Sequence, residues 1–161
     1  MSGEPESVRE ATITRLIDAP AHIVFAAHAD PLLVKRWFGP VGWPLSACEM
    51  DFRVGGRFRF QMTSDAGERG PPFGGTYLEI VPNTRIRYDN SFEEPGSPVM
   101  VMTVSFAEDA EGRTLLTHRT LFESKAMHDD YLGLGFEQGT NSGLDQLEEV
   151  VREMVAEMGG G

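Results

Sequence analysis

The chain has 161 residues, 40% hydrophobic and 24% charged, the balance of a globular protein rather than a disordered or fibrous one. Its 14 basic residues against 25 acidic ones give a net charge of −11 with no basic block, which argues against nucleic acid, whose phosphates demand clustered Lys and Arg. A single cysteine, Cys48, excludes an internal disulfide and a cysteine metal cluster, and no run approaches the roughly 20 apolar residues of a membrane span.

One domain with a sizeable core is expected over residues 8–158. Residues 1–7 are polar and acidic, lack the apolar stretch of a secretory signal, and are expected to form a flexible tail, as are residues 159–161. A cytoplasmic, reducing setting follows as the expected location. Val8 to Asp18 is rich in β-branched residues, with Ala11, Ile13, Arg15 and Ile17 alternating against Thr12, Thr14 and Leu16, and predicts a strand. Ala19-Pro20 breaks it, and Pro20 suits the first turn of a helix through Ala21, Ile23, Val24, Phe25 and Ala27. Asp30-Pro31 opens a second short helix, which ends near Trp37-Phe38 because Gly39-Pro40 cannot continue it.

From Val41 onward the pattern becomes that of strands. Pro44 to Phe52 is one, and Gly55-Gly56 is a turn whose residues need positive φ. In Arg57 to Met62, Phe58, Phe60 and Met62 go to one face and Arg57, Arg59 and Gln61 to the other. Ser64 to Pro72 is a polar turn. Phe73 to Val81 follows, then Pro82-Asn83 and Arg85 to Phe92, where Ile86 and Tyr88 oppose Arg85 and Arg87. After a loop at Glu93 to Ser97, Val99 to Phe106 and Thr114 to Phe122 form a hairpin around the acidic turn Glu108 to Gly112.

Ala126 to Met158 reads as a single long helix. Leu144, Leu147, Val151, Met154, Val155 and Met158 make an apolar stripe, with Asp145, Glu148, Glu149, Arg152, Glu153 and Glu157 on the solvated face. Gly135, Gly139 and Gly143 recur every four residues, each costing about 1 kcal/mol relative to alanine. Such a stripe marks either close packing of helix on sheet, the commoner outcome, or the roof of a cavity. Gly133 to Gly143 is also open to being kinked or partly unwound. The predicted architecture is α+β: a curved antiparallel sheet of about seven strands, two short helices, and a long C-terminal helix over the concave face.

Several short motifs fall in a distinctive order. Ile17-Asp18-Ala19-Pro20 opens the first helix, Asp30-Pro31 precedes Trp37-Phe38-Gly39-Pro40, and Asp51-Phe52-Arg53-Val54-Gly55-Gly56-Arg57 comes next. Gly74-Gly75-Thr76-Tyr77-Leu78-Glu79-Ile80-Val81-Pro82 follows, and Gly139 with Leu144-Asp145-Gln146-Leu147 closes the set. In these residues, from about Val8 to Val155, the chain resembles the START-like (SRPBCC) superfamily, whose fold is the helix-grip or START/Bet v-like fold. The wording is most similar to the branch named for the activator of the heat-shock protein 90 ATPase. The resemblance implies the fold; it does not imply one activity, since the fold hosts lipid carriers, cyclases, hormone receptors and co-chaperone domains. Many relatives carry a tryptophan after the glycine of the last helix, where this chain has Thr140, a smaller residue that reshapes any cavity below. The co-chaperone that names the branch has a separate N-terminal chaperone-binding domain, for which this chain is expected to have no room.

Residues able to carry chemistry are sparse. His118 lies mid-strand, where a buried, hydrogen-bonded histidine is favoured over a catalytic base. His22, His28 and His128 lie in or beside helices, far apart, with no metal-ligand spacing, so neither a metal nor a cofactor is expected. Cys48 reads as a small buried hydrophobe. Neither a Gly-x-Ser-x-Gly elbow nor a phosphate loop is present. Asp51, Arg53, Arg57 and Glu79 read as cross-strand ion pairs on an exposed face rather than a charged pocket floor.

What remains is apolar. A sheet curved around a glycine-faced helix and lined by Met, Phe and Tyr is a concave site for a small molecule, and eight methionines suit an adaptable surface. The candidate lining comprises Trp37, Phe38, Trp43, Phe60, Met62, Tyr77, Tyr88, Met100, Met102, His118, Phe136, Gly139, Thr140 and Gly143, with Tyr77, Tyr88 and His118 as polar handles. The expected function is to hold a small apolar or aromatic molecule, and no catalytic residue is assigned. Two alternatives stand beside it. One is a protein-interaction or co-chaperone-like module, docking a basic partner through an acidic surface and an exposed Trp37-Phe38-Gly39-Pro40 loop. The other is a cyclase- or hydrolase-type enzyme with His118 or Tyr88 as general acid or base. Homodimers are common among relatives, though nothing in the sequence fixes an interface.

Overall fold

The computed structural model describes residues 4–159; residues 1–3 and 160–161, at the ends of the two expected tails, lie outside the described residues. Seven strands form one antiparallel sheet: β1 (Glu10–Ile17), β2 (Leu45–Met50), β3 (Arg57–Met62), β4 (Phe73–Val81), β5 (Arg85–Phe92), β6 (Met100–Glu108) and β7 (Thr114–Phe122). Their order is β1-β7-β6-β5-β4-β3-β2, so β2 to β7 form a meander and β1 adds to the far edge of β7. The clearest strands carry the period-2 pattern of a half-buried sheet. On β6, Met100, Met102, Val104 and Phe106 are buried; on β3, Phe58 and Phe60 are buried while Arg57 and Arg59 reach solvent.

At Gly74-Gly75 strand β4 comes unusually close to both of its neighbours. A Cβ on Gly75 would overlap the Asp89 carbonyl oxygen, and one on Gly74 would overlap that of Phe58, so only glycine permits this approach. The Asp89 carboxylate accepts the Thr76 N–H at 2.9 Å in place of a ladder bond, and the β4–β5 register slips by one residue between Tyr77 and Glu79.

Four helices lie against the inner face: α1 (Ala21–Ala29), α2 (Pro31–Trp37), α3 (Lys125–Gly133) and α4 (Phe136–Gly159). Asp30 caps α2, its Oδ1 accepting the Leu32 N–H at 2.9 Å, with Pro31 behind it. Ser124 caps α3 through the Met127 N–H at 3.1 Å. The single helix expected over Ala126–Met158 is therefore two. Gly135 takes φ +92°, a conformation that stops a helix, and Leu134 donates its N–H back to the carbonyls of Asp130 and Tyr131. Gly135 ends α3 and belongs to no helical stripe.

Leu144, Leu147, Val150 and Val151 of α4 enter the main core beside Ile13, Ile17, Phe58, Ile86 and Leu116. Val155 and Met158, part of the expected stripe, are exposed, because the last turns of α4 run past the core. A second cluster lies under α3 and the start of α4: Ala11, Met100, Met102, Phe122 and Met127, with Tyr88, Tyr131, Leu132 and Phe136 against it. Among the described residues no helix is long and apolar enough to cross a membrane.

Candidate functional site

The inner face of the sheet is a lattice whose rows follow from strand register. Ile86, Val104, His118 and Ile13 form one row across β5, β6, β7 and β1. Tyr88, Met102, Thr120 and Ala11 form the next, and Asn90, Met100 and Phe122 a third. The α1–α2 pair covers the side nearer β3 and β4, and α3 with the start of α4 covers the other.

Under α1 and α2 lies a cavity of about 40 Å³, bordered by His28, Trp37, Phe38, Phe60, Tyr77 and Tyr88 among others. Its walls are aromatic rings set edge to face: Phe38 and Phe60 at 5.1 Å, Phe58 and Tyr88 at 5.3 Å, His28 and Phe106 at 5.1 Å. Trp37 is fixed by its indole N–H, which donates to the Ala27 carbonyl at 2.9 Å. A space of that size suits one or two water molecules, against the roughly 300–1,000 Å³ of ordinary small-molecule sites. A larger hollow, about 630 Å³, lies on the outer face between β2 and β5. It is an open trough whose charged walls already pair with one another, Arg59 with Glu93 at 2.5 Å and with Glu49 at 3.8 Å, and it holds no enclosed apolar surface. The inner face is the better candidate.

Burial keeps the titratable groups around the cavity uncharged. The His28 ring sits with Nδ1 2.8 Å from the Val24 carbonyl, and burial, opposed by that bond and helped by nearby His118, brings its pKa down to about 4. Burial also lowers His118 to about 4, and pushes the phenols of Tyr77 and Tyr88 well above their ordinary value. Cys48 is half-buried, and burial raises its thiol to about 11, which favours the protonated form at neutral pH. Among the described residues no group of His, Cys, Asp and Glu could hold a metal ion.

The fourteen candidate residues divide into groups. Trp37, Phe38, Phe60, Tyr77 and Tyr88 border the cavity. Met100, Met102 and Phe136 belong to the second cluster, under α3. His118 is on the inner face between them, its Nδ1 buried and without a hydrogen-bond partner among the described residues. Met62 packs on the main core from beneath Gly39, and Trp43 is half-buried beside Gly70, so both lie off the cavity. Gly139 has open space where a Cβ would stand, and Thr140 is half-buried one residue on. Gly143 lies against backbone of the α2–β2 loop, its Cβ position 3.5 Å from the Trp37 carbonyl oxygen. The helix thus approaches a loop there, where sheet packing or a cavity roof was expected.

That loop is not exposed as expected. Gln146 donates its amide to the Gly39 carbonyl at 2.7 Å, the Val41 N–H donates to Ser142 Oγ at 3.0 Å, Trp37 is buried and Phe38 is half-buried. Of the four charged residues expected to pair across strands, Asp51 and Arg53 lie in the β2–β3 loop and pair with each other at 2.9 Å, Glu79 pairs across strands with Arg85 at 2.6 Å, and Arg57 donates to the Thr76 hydroxyl at 3.2 Å without an ion pair to the other three.

Three inner-face residues were not singled out from sequence. Asn90 and Thr120 share parity with Ile86 and Tyr88 and with Leu116 and His118, and extending those two alternations by one step finds them. His28 carries no such signal, since it reaches the cavity only through the packing of α1 on β6.

Comparison with known proteins agrees with this architecture. The family model described as Activator of Hsp90 ATPase homolog 1-like protein matches residues 18–152. A crystal structure of a protein from Nitrosomonas europaea is 25% identical with a TM-score of 0.84, covering 94% of this chain and 99% of its own. One from Chromobacterium violaceum is 30% identical with a TM-score of 0.76, covering 89% and 96%. A solution structure from Arthrobacter aurescens is 25% identical with a TM-score of 0.81, covering 95% and 91%. No curated protein matches the chain.

Proposed function

We propose, for a chain that belongs to the Activator of Hsp90 ATPase homolog 1-like family, that it binds a small apolar or aromatic molecule between the concave face of its sheet and the helices above it. The observation that carries this reading is the composition of that face. It is aromatic and methionine-rich, its histidines and tyrosines are neutral at neutral pH, Arg15 at its β1 edge is taken up by Asp145 of α4, and the methionine cluster lies under the helix pair interrupted at Gly135. Methionine side chains are the ones that yield most easily to a guest. The cavity of about 40 Å³ is too small for such a guest, so binding requires Met100, Met102, Met127 and the α3 segment to give way. Binding fits better than catalysis because the cysteine is protonated and neither buried histidine contacts a carboxylate among the described residues. The expected setting is cytoplasmic.

Native mass spectrometry of protein purified gently from its own cells, set against the denatured mass, tests the reading. A discrete extra mass that disappears on denaturation, and is lost when Met100→Trp fills the space, is the expected result. An apo mass with no thermal shift across lipids and aromatic compounds would overturn it in favour of a protein-binding role.

A further inference from the structure

The floor under α3 is not purely apolar. Thr120 is fully buried and Asn90 nearly so, yet Thr120 Oγ1 and Asn90 Oδ1 have no hydrogen-bond partner among the described residues, and neither has His118 Nδ1. Buried polar atoms are nearly always paired, and each orphan costs the folded state. Thr114 shows that the same strand can meet the need. It is equally buried, on the same face of β7, and its hydroxyl donates to the Ala19 carbonyl at 2.7 Å. The three orphans lie on the inner face of β5 and β7, Asn90 level with Met100, Thr120 level with Met102 and His118 one row on, beside the methionine cluster.

We infer that the ligand is a neutral hydroxylated aromatic whose hydroxyl groups satisfy Asn90, Thr120 and His118 while its rings displace the methionines. This rests on the small-molecule reading above and narrows it. Neutrality follows from the floor, which offers no charged side chain to a buried ion. Hydroxyls follow from the atoms to be satisfied: the Asn90 oxygen accepts, while a threonine hydroxyl and an imidazole nitrogen can take either role, and a ligand hydroxyl both donates and accepts. The span follows from the sheet. Asn90 and Thr120 lie two strands and one row apart, about 10–12 Å between backbones, which suits two fused rings with a hydroxyl at each end.

Calorimetric titration at pH 7 with naphthalene, 2,6-dihydroxynaphthalene and 2,6-naphthalenedicarboxylate tests the inference on the full chain. The diol should bind about tenfold or more tighter than naphthalene, and the dicarboxylate should not bind. Thr120→Val should bring the diol's affinity close to that of naphthalene, and Thr120→Ser should keep the preference. A purely structural Thr120 would shift both probes together. If Thr120→Val does not fold, judged by circular dichroism, Asn90→Leu is put through the same comparison. Naphthalene binding without a diol preference, or a preference that survives loss of the hydroxyl, overturns this inference alone. If neither naphthalene nor the diol binds, this inference and the small-molecule reading fall together.

Discussion

Arg15 of β1 reaches across to α4 and donates to Asp145 Oδ1 at 2.7 Å. The same guanidinium donates to Asn141 Oδ1 at 2.9 Å and lies 3.4 Å from Glu148, so one mostly buried side chain ties the sheet's edge strand to about two turns of helix. Arg15→Ala should cost about 1–2 kcal/mol, whereas Asp145→Ala, whose carboxylate is well exposed, should cost under about 0.5 kcal/mol. Urea unfolding of both variants decides it, and equal losses would contradict this account of Arg15 as the hub.

Acid should weaken the fold before its carboxylates titrate. His28 and His118 have pKa values near 4 in the folded protein against 6.5 in an unfolded chain. Between those values the unfolded state binds the extra protons, so stability is full above pH 6.5 and falls as pH drops toward 4. The slope is about 1.4 kcal/mol per pH unit for each histidine. Glu79, hydrogen-bonded by Arg85, titrates below its ordinary value and leaves the window from pH 6.5 to 5 to the histidines. Unfolding free energies across that window should fall steadily, and His118→Leu should roughly halve the slope.

Three glycines should respond in three different ways to alanine. Gly75→Ala forces a Cβ onto the Asp89 carbonyl and should cost roughly 3 kcal/mol or more. Gly135→Ala, at φ +92°, should cost about 1–2 kcal/mol. Gly139→Ala meets open space inside α4 and should gain about 0.5–1 kcal/mol. Thermal melts of the three give the order directly, and a destabilised Gly139→Ala would show that the space beside it is needed.

Gln146→Ala removes the amide that holds the Gly39 carbonyl, and should cost about 1 kcal/mol while loosening the loop that carries Trp37. In a Trp43→Phe background the fluorescence of Trp37 should move to the red. An unchanged spectrum would mean that the Trp37 bond to the Ala27 carbonyl suffices by itself.

The strands were legible where they alternate, as β3 and β6 do, and where their turns carry Gly, Pro or Asn. Phe58 and Phe60 against Arg57 and Arg59 admit one orientation, and Pro82-Asn83 sits where Asn83 takes φ 61°. The break in the last helix was not settled by sequence, because Gly135 falls four residues before Gly139 and spacing is blind to the sign of φ. Nor was Arg15 legible as a clamp: its place in the alternation put it on the inner face, but its partners are 126 and 130 residues away. Of the residues that border the cavity, Trp37, Phe38, Phe60, Tyr77 and Tyr88 stand out in the sequence by size and apolarity alone. Asn90 and Thr120 look ordinary until burial removes water from them.

The order of the sheet also decides when it can be completed. Every pairing from β2 to β7 joins consecutive strands, so each hairpin can close soon after its residues exist. β1 alone must wait, since Glu10 faces Leu121 across nearly the whole chain. During synthesis the first strand is made first and docks last, and the helix that locks it through Arg15 emerges later still. Until then the edge of β7 stays unpaired, so a ribosome-bound intermediate of this protein offers a strand edge that the finished protein conceals.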